Sequence, residues 1–309
     1  MTDMKGQAVR QQFVLHIYQN TLGGFPVFYT VTDRLVFFSI VCNAARRHSL
    51  RVIGICIMFD HMHILVEGAT RDEARDFVKE CLSLFSRAFN KSIGQSGNVF
   101  NKAFGSSIKT GLKAIRTACS YLYNNPVEKK LCLRAEENKW NFLAYAISSH
   151  PFSEKIRKEK ASRALRRTMT MVSVLAKQGK NLKYKWVEKW ASLLSGAEKN
   201  QLVDYIISSY NCIDYNALIS YYGSYELTCR AFASNQGSEY GIKEDYYPNP
   251  HTDYIHIGNA LLEKHGFSDV KEVLSLPESQ RISLKNMLIF EVDASPRMIE
   301  KYMHLKPGS

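Results

Sequence analysis

Apolar and polar positions alternate at strand spacing in several places along the first half of the chain, and recur at helical spacing between them. Phe13 to Gln19 reads as a strand, and after the Gly23-Gly24 and Pro26 loop Val27 to Val31 reads as its partner. Thr32 or Asp33 then caps a helix to about His48, with Leu35, Phe38, Ile40 and Val41 inward. Val52 to Ile57 is an unbroken apolar run, the mark of a buried strand. Met58-Phe59-Asp60 fits a tight connection, and alternation resumes from His61 to Glu67. Thr70 caps the next helix, to about Lys91, with Glu73 placed for a capping box. Its inward stripe is Ala74, Phe77, Val78, Cys81, Leu84, Phe85 and Phe89. Asn98 to Thr110 is a weaker strand, and a last helix runs from Gly111 to Asn124, stopped by Pro126. Strand, helix, strand, strand, helix, strand, helix predicts an α+β fold, an antiparallel sheet with helices packed on it.

The second half is helical almost throughout. Ser153 to Arg167 is a dense charged run, and segments near 186–194, 197–210, 214–222, 225–235 and 254–264 carry apolar residues at helical spacing. Asn235 to Pro250 reads as a loop. From Leu284 to Met303, two apolar sets flank Asp293-Ala294, with Ser295 as an N-cap and Pro296 at the first helical position. That pattern resembles a helix-turn-helix. The expected division is 1–150, a basic helical linker over 151–180, and a helical domain over 181–309 with the helix-turn-helix at 284–303.

His61 and His63 change the picture. Side chains two apart on a strand share a face, so both imidazoles point one way and can grip one divalent metal. Ordinary polar residues on a solvated strand are the alternative. The string from Ile57 to Glu67, IMFDHMHILVE, followed on a helix by Tyr121-Leu122-Tyr123-Asn124-Asn125-Pro126, resembles the single-tyrosine HUH nucleases and, within them, the REP-associated tyrosine transposases. The resemblance covers about residues 10 to 150. It implies a ferredoxin-like sheet, His61, His63 and Asn125 as ligands of Mg²⁺ or Mn²⁺, and Tyr121 as a nucleophile that forms a 5′-phosphotyrosine with single-stranded or hairpin DNA. The competing role is a domesticated, non-catalytic DNA-binding regulator.

Several neighbours carry open alternatives. Asn125 before proline also suits a helix end. Asp60 either shapes the turn or holds a histidine proton, and Glu67 shares the histidine face further along the strand. On a helical wheel Tyr121 falls next to Asn125 on the polar side, while Tyr123 flanks the apolar arc.

Charge agrees with a polyanionic partner. Lys plus Arg is 41 against 29 Asp plus Glu, a formal +12. Lys102, Lys109, Lys113, Arg116 and Arg297 are the candidate DNA contacts, the last serving duplex DNA through the C-terminal region. The seven cysteines are odd in number and hold no C-x-x-C pair, which argues against a zinc ribbon or a disulfide framework. The N-terminus lacks the apolar run of a signal peptide, and no stretch is long enough for a membrane span. The expected location is the bacterial cytoplasm, with the nucleoid. The pattern leaves the oligomeric state open.

Overall fold

The computed structural model describes residues 13–157, 159–235 and 250–308. Four antiparallel strands, β1 (Phe13–Asn20), β2 (Arg51–Ile57), β3 (His61–Glu67) and β4 (Gly105–Thr110), lie in the order β2-β3-β1-β4. Helix α1 (Val31–Arg47) links β1 to β2, α2 (Arg71–Ser92) links β3 to β4, and α3 (Leu112–Glu128) follows β4. This is the ferredoxin-like sheet that the alternation and the family resemblance predict.

The pleat divides the core. Leu15, Ile17, Met62, Ile64 and Val66 face α1 and α2. Val14, Ile53, Cys56 and Leu65 face α3 through Ile115, Cys119, Leu122 and Tyr123. Side chains on one strand alternate between these layers, so His16, Tyr18, His61 and His63 all belong to the α3 side.

Both long helices begin as expected in kind. Thr30, rather than Thr32 or Asp33, caps α1 in a capping box with Asp33. Thr70 does the same for α2 with Glu73. The expected strand over 27–31 does not form. Pro26 offers no N–H, the cap at Thr30 already starts the helix, and Val27 and Phe28 donate only to the Phe59 carbonyl in the β2–β3 turn. The strand expected over 98–110 is confined to its second half, because residues 97–104 curl around the end of β1. There Asn101 accepts from the Gln19 amide.

Helix α3 runs through Pro126 rather than stopping before it. Only two residues follow the proline, so it costs one hydrogen bond in the final turn. Asn125 therefore stays helical, one turn beyond Tyr121.

The C-terminal half comprises α4 (Arg163–Lys177), α5 (Tyr184–Ser192), α6 (Gly196–Tyr210), α7 (Tyr215–Ser220), α8 (Tyr225–Ser234), α9 (Thr252–Glu263), α10 (Glu278–Glu291) and α11 (Pro296–Tyr302). The loop expected over 235–250 lies almost wholly outside the described residues. This half packs on the side of α1 that the sheet leaves open, so every residue of α1 from Asp33 to Ala45 is buried. The polar residues of α1 are answered from the tail: Asp33 by Lys271 Nζ at 3.1 Å and Tyr184 Oη at 2.7 Å, Ser39 by the Leu182 amide, Asn43 by Asn181. The turn at 293–294 and the Ser295 cap form as read from the sequence. Met298, Ile299 and Tyr302 of α11 are buried, and the Tyr29 hydroxyl donates to the Tyr302 carbonyl.

Candidate active site

The β2–β3 turn sets the first pieces. Met58 N donates to the His61 carbonyl, closing the turn, and the Asp60 carbonyl accepts from both the amide and the hydroxyl of Thr21. His61 and His63 follow on one face, opposite Asn20 and Tyr18 of β1. The α3 helix crosses this face closely. A Cβ on Gly54 would lie 3.3 Å from Leu122 and Tyr123, which shows how near the helix rides. Asn125 is thereby brought between the two imidazoles. Its amide lies 3.0 Å from His61 Nε2 and 3.2 Å from His63 Nε2.

The other nitrogen of each ring is also engaged. His61 Nδ1 lies 2.6 Å from the Asp60 carboxylate, and His63 Nδ1 lies 3.1 Å from His16 Nε2. With a proton on each Nδ1, both Nε2 atoms present lone pairs towards Asn125. The amide has one oxygen and one NH₂ group. Whichever way it is turned, its oxygen faces a lone pair. Either the other His63 tautomer, with its proton on Nε2 and His16 donating to Nδ1, or a cation among the three atoms resolves that conflict. Two neutral imidazoles and an amide oxygen form a donor set that fits a divalent metal.

Charge in the cluster follows from burial. His63 is 1% exposed, and burial first, then the neighbouring His61 and His16, push it well below the usual histidine range. Burial and the nearby Lys109 pull His16 down to about 3. Both rings are neutral at physiological pH, which is the form a ligand needs. Burial opposes charge on Asp60, yet its carboxyl stays below the usual range, facing His251, the His61 hydrogen bond and Lys301. Burial also pulls His251 down to about 3, so that ring is neutral. We therefore assign the charge on Asp60 to His61 and Lys301.

Tyr121 completes the face. Its ring meets His63 edge-on at 5.4 Å and His16 at 5.8 Å. Tyr123 points elsewhere: it is fully buried rather than at the edge of the core, its hydroxyl donates to the Ile53 carbonyl, and its ring stacks on Phe232. The second half of the polar side of α3 is covered by the tail. The Asn124 amide donates to the Phe232 and Asn235 carbonyls beyond it.

The remaining candidates scatter. Lys109 lies on the site face of β4, beside His16. Lys113 is exposed at the start of α3. Arg116 is drawn into the tail, its Nε donating to the Tyr221 carbonyl at 2.6 Å. Lys102 sits on the opposite side of the sheet, in the loop before β4. Arg297 is exposed on α11. Glu67 pairs with Arg51 at 2.5 Å and accepts from Tyr221, at the far end of β3 from His61.

Two residues escaped the sequence. His16 is fully buried, and only the pairing of β1 with β3 brings it to His63; its shared face with Tyr18 was the available signal. His251 arrives from the tail, its Nε2 3.5 Å from Asp60, and nothing local marks it. Asp60, His61 and His251 hold three ligand-type atoms within 4.8 Å. At 2.6 Å, however, Asp60 and His61 are joined by a hydrogen bond, which leaves His61 Nε2 and its partners as the better metal position.

The model of the family described as "Transposase IS200 like" matches residues 25–125. That segment is similar to the IS200-like transposases. It holds His61, His63, Tyr121 and Asn125, and His16 precedes it by nine residues. No curated protein matches the chain. A solved structure of a REP-associated tyrosine transposase bound to a REP hairpin is similar over 48% of this chain and 86% of that one, at 14% identity and a TM-score of 0.35. The order and register of the strands, and not this likeness, identify the fold of this segment. No helix among the described residues is long and apolar enough to cross a membrane.

Proposed function

We propose that this protein nicks and rejoins single-stranded or hairpin DNA through a covalent 5′-phosphotyrosine on Tyr121. One observation carries the reading: Tyr121 stands edge-on to His63 while Asn125, one turn on, reaches both His61 and His63. A nucleophile and a metal-type donor set thus share one strand face and one helix.

The Tyr121 hydroxyl oxygen attacks the scissile phosphorus, and the bond to the 3′ oxygen breaks. The phenol gives up its proton and the departing 3′ oxygen gains one. The 5′ end stays on Tyr121, so a 3′ hydroxyl can reverse the step with no ATP. Mg²⁺ or Mn²⁺, held by His61, His63 and Asn125, would neutralise charge on the phosphate and align it. Asp60 and His16 hold the two imidazoles in place through their Nδ1 atoms, and Lys109 adds positive charge beside the same face. Contact with duplex DNA by residues 284–303 would fall to Arg297 and the exposed surface around it.

The test is direct. Wild-type protein incubated with labelled single strands and Mn²⁺ forms a protease-sensitive adduct. Tyr121→Phe abolishes it and Tyr123→Phe keeps most of it. Peptide mapping that finds DNA on Tyr123 sinks the assignment.

A further inference from the structure

A cleft of about 690 Å³ opens between α2 and residues 97–104, on the face of the sheet opposite Tyr121. Its volume falls in the usual range for ligand sites, about 300–1,000 Å³. Arg71, Arg75, Lys79, Arg87 and Lys102 line it, and no carboxylate does. Arg71, Arg75 and Lys79 stand on one row of α2 at four-residue steps, a rise of about 6 Å each, and Arg87 lies two steps further on, past Ser83. Two of the acidic residues of α2 are engaged away from this row. Glu80 faces α1, where it pairs with Arg47 and His48, and Glu73 closes the Thr70 cap. Asp72 reaches Arg75, but both are well exposed, and such pairs hold weakly.

The floor supplies a second observation. Gln19 is 1% exposed and lines the cleft. Its amide nitrogen donates to the Asn20 and Asn101 carbonyls, while its Oε1 has no partner among the described residues. A buried acceptor without a donor is costly, and a bound group with an N–H or O–H answers it. Gln19 is the next residue after Tyr18, whose side chain is on the Tyr121 face. Beyond β1 lies only the edge strand β4, which carries Lys109 on the site face and leads back to Lys102 on the cleft side.

We infer that the cleft binds the phosphodiester backbone of the same DNA strand beyond the nicking site, after the strand has passed around the edge of β4. The α2 row and Lys102 take the phosphates, and Gln19 Oε1 accepts from a base amino group. This inference rests on the proposed DNA substrate, but not on Tyr121 chemistry.

Full-length protein would carry Arg75→Gln, Lys79→Gln and Arg87→Gln together. A control would carry Lys177→Gln, Lys185→Gln and Lys189→Gln, the same charge change on exposed helical positions outside the cleft. Binding of a fluorescent 30-nucleotide strand is followed against salt. Each phosphate contact on a single strand contributes about 0.7 to the slope of log K against log salt. The cleft variant should lose about 2 from that slope and the control almost nothing, with far-ultraviolet circular dichroism unchanged in both. Equal losses in the two variants, or no loss in the cleft variant, overturn the inference. If the wild type forms no tyrosine adduct yet the cleft variant alone loses slope, the nicking reading falls and the cleft stands.

Discussion

Gly105 lies directly beneath the ring of Tyr18, its partner across the β1–β4 pair. A Cβ built there would lie 1.8 Å from Cζ and 2.3 Å from both Cε atoms. Ordinary contact begins at 3.4 Å, so Gly105→Ala must move the ring by about 1.6 Å (3.4 minus 1.8). The backbone of β4 is held by its ladder, and the ring is the part that yields. It is half-buried and sits 5.8 Å from His16, the partner of His63. Overpacking of this kind costs about 1–3 kcal/mol, against which a glycine replaced in a strand regains about 0.4–1 kcal/mol. The net loss for Gly105→Ala is therefore about 1–2 kcal/mol in urea unfolding, with a lower adduct yield as the ring is pushed against the site. Removing the ring relieves the clash. The double variant Gly105→Ala, Tyr18→Ala should be more stable than the sum of the two single effects by at least about 1 kcal/mol. Additivity within about 0.5 kcal/mol would refute the argument that the ring and the glycine occupy one space.

Three further outcomes are expected. Tyr123→Phe removes a buried hydrogen bond to the Ile53 carbonyl and should cost about 1–2 kcal/mol of stability while sparing the adduct; an unchanged urea midpoint would contradict that bond. Lys271→Met leaves the Asp33 carboxylate buried without its ammonium, for a loss of about 3–5 kcal/mol in the same assay; a loss below about 1 kcal/mol would mean that Tyr184 and Thr30 suffice for Asp33. His304 donates to the Pro26 carbonyl and stacks on Phe25, and burial pulls it down to about 4. The unfolded chain therefore binds this proton first, and stability falls as pH drops from about 6.5 towards 4. Replacing it by Gln should lessen the slope of that part of the profile by its one proton, the depressed His16, His63 and His251 supplying the rest, and an equally steep profile would remove His304 as a contributor.

The central features were legible because each is written locally. Alternation marks β1 and β3, an unbroken apolar run marks β2, and capping residues at Thr70 and Ser295 mark helix starts. The spacing from His61 to His63 puts both on one face, and Tyr121 with Asn125 on a helical row needs only that the helix continue. Misreadings arose where a local rule met a tertiary contact. Pro126 was given the power to end a helix that had two residues left to run. Asn124, on the polar side of α3, meets carbonyls from the end of α8, which no helical wheel can show. His16 and His251 reach the site through pairings across 47 and 191 residues, respectively the β1–β3 ladder and the packing of the tail, and no window of sequence contains both partners.

Two points of the tail hold the helix that bears Tyr121. Carbonyls at Phe232 and Asn235 receive Asn124, and the His251 amide donates to the Lys129 carbonyl at the end of α3. Such stitching bears on how a gene of this kind can be divided. A split near residue 150 would give a first fragment whose most important helix has lost its outer support and a second with no sheet to lie on. Recombination that exchanges one half for that of a distant relative would have to renew both seams at once. Lineages should therefore transmit the two halves as a unit, and their substitutions along these seams should arise in matched pairs.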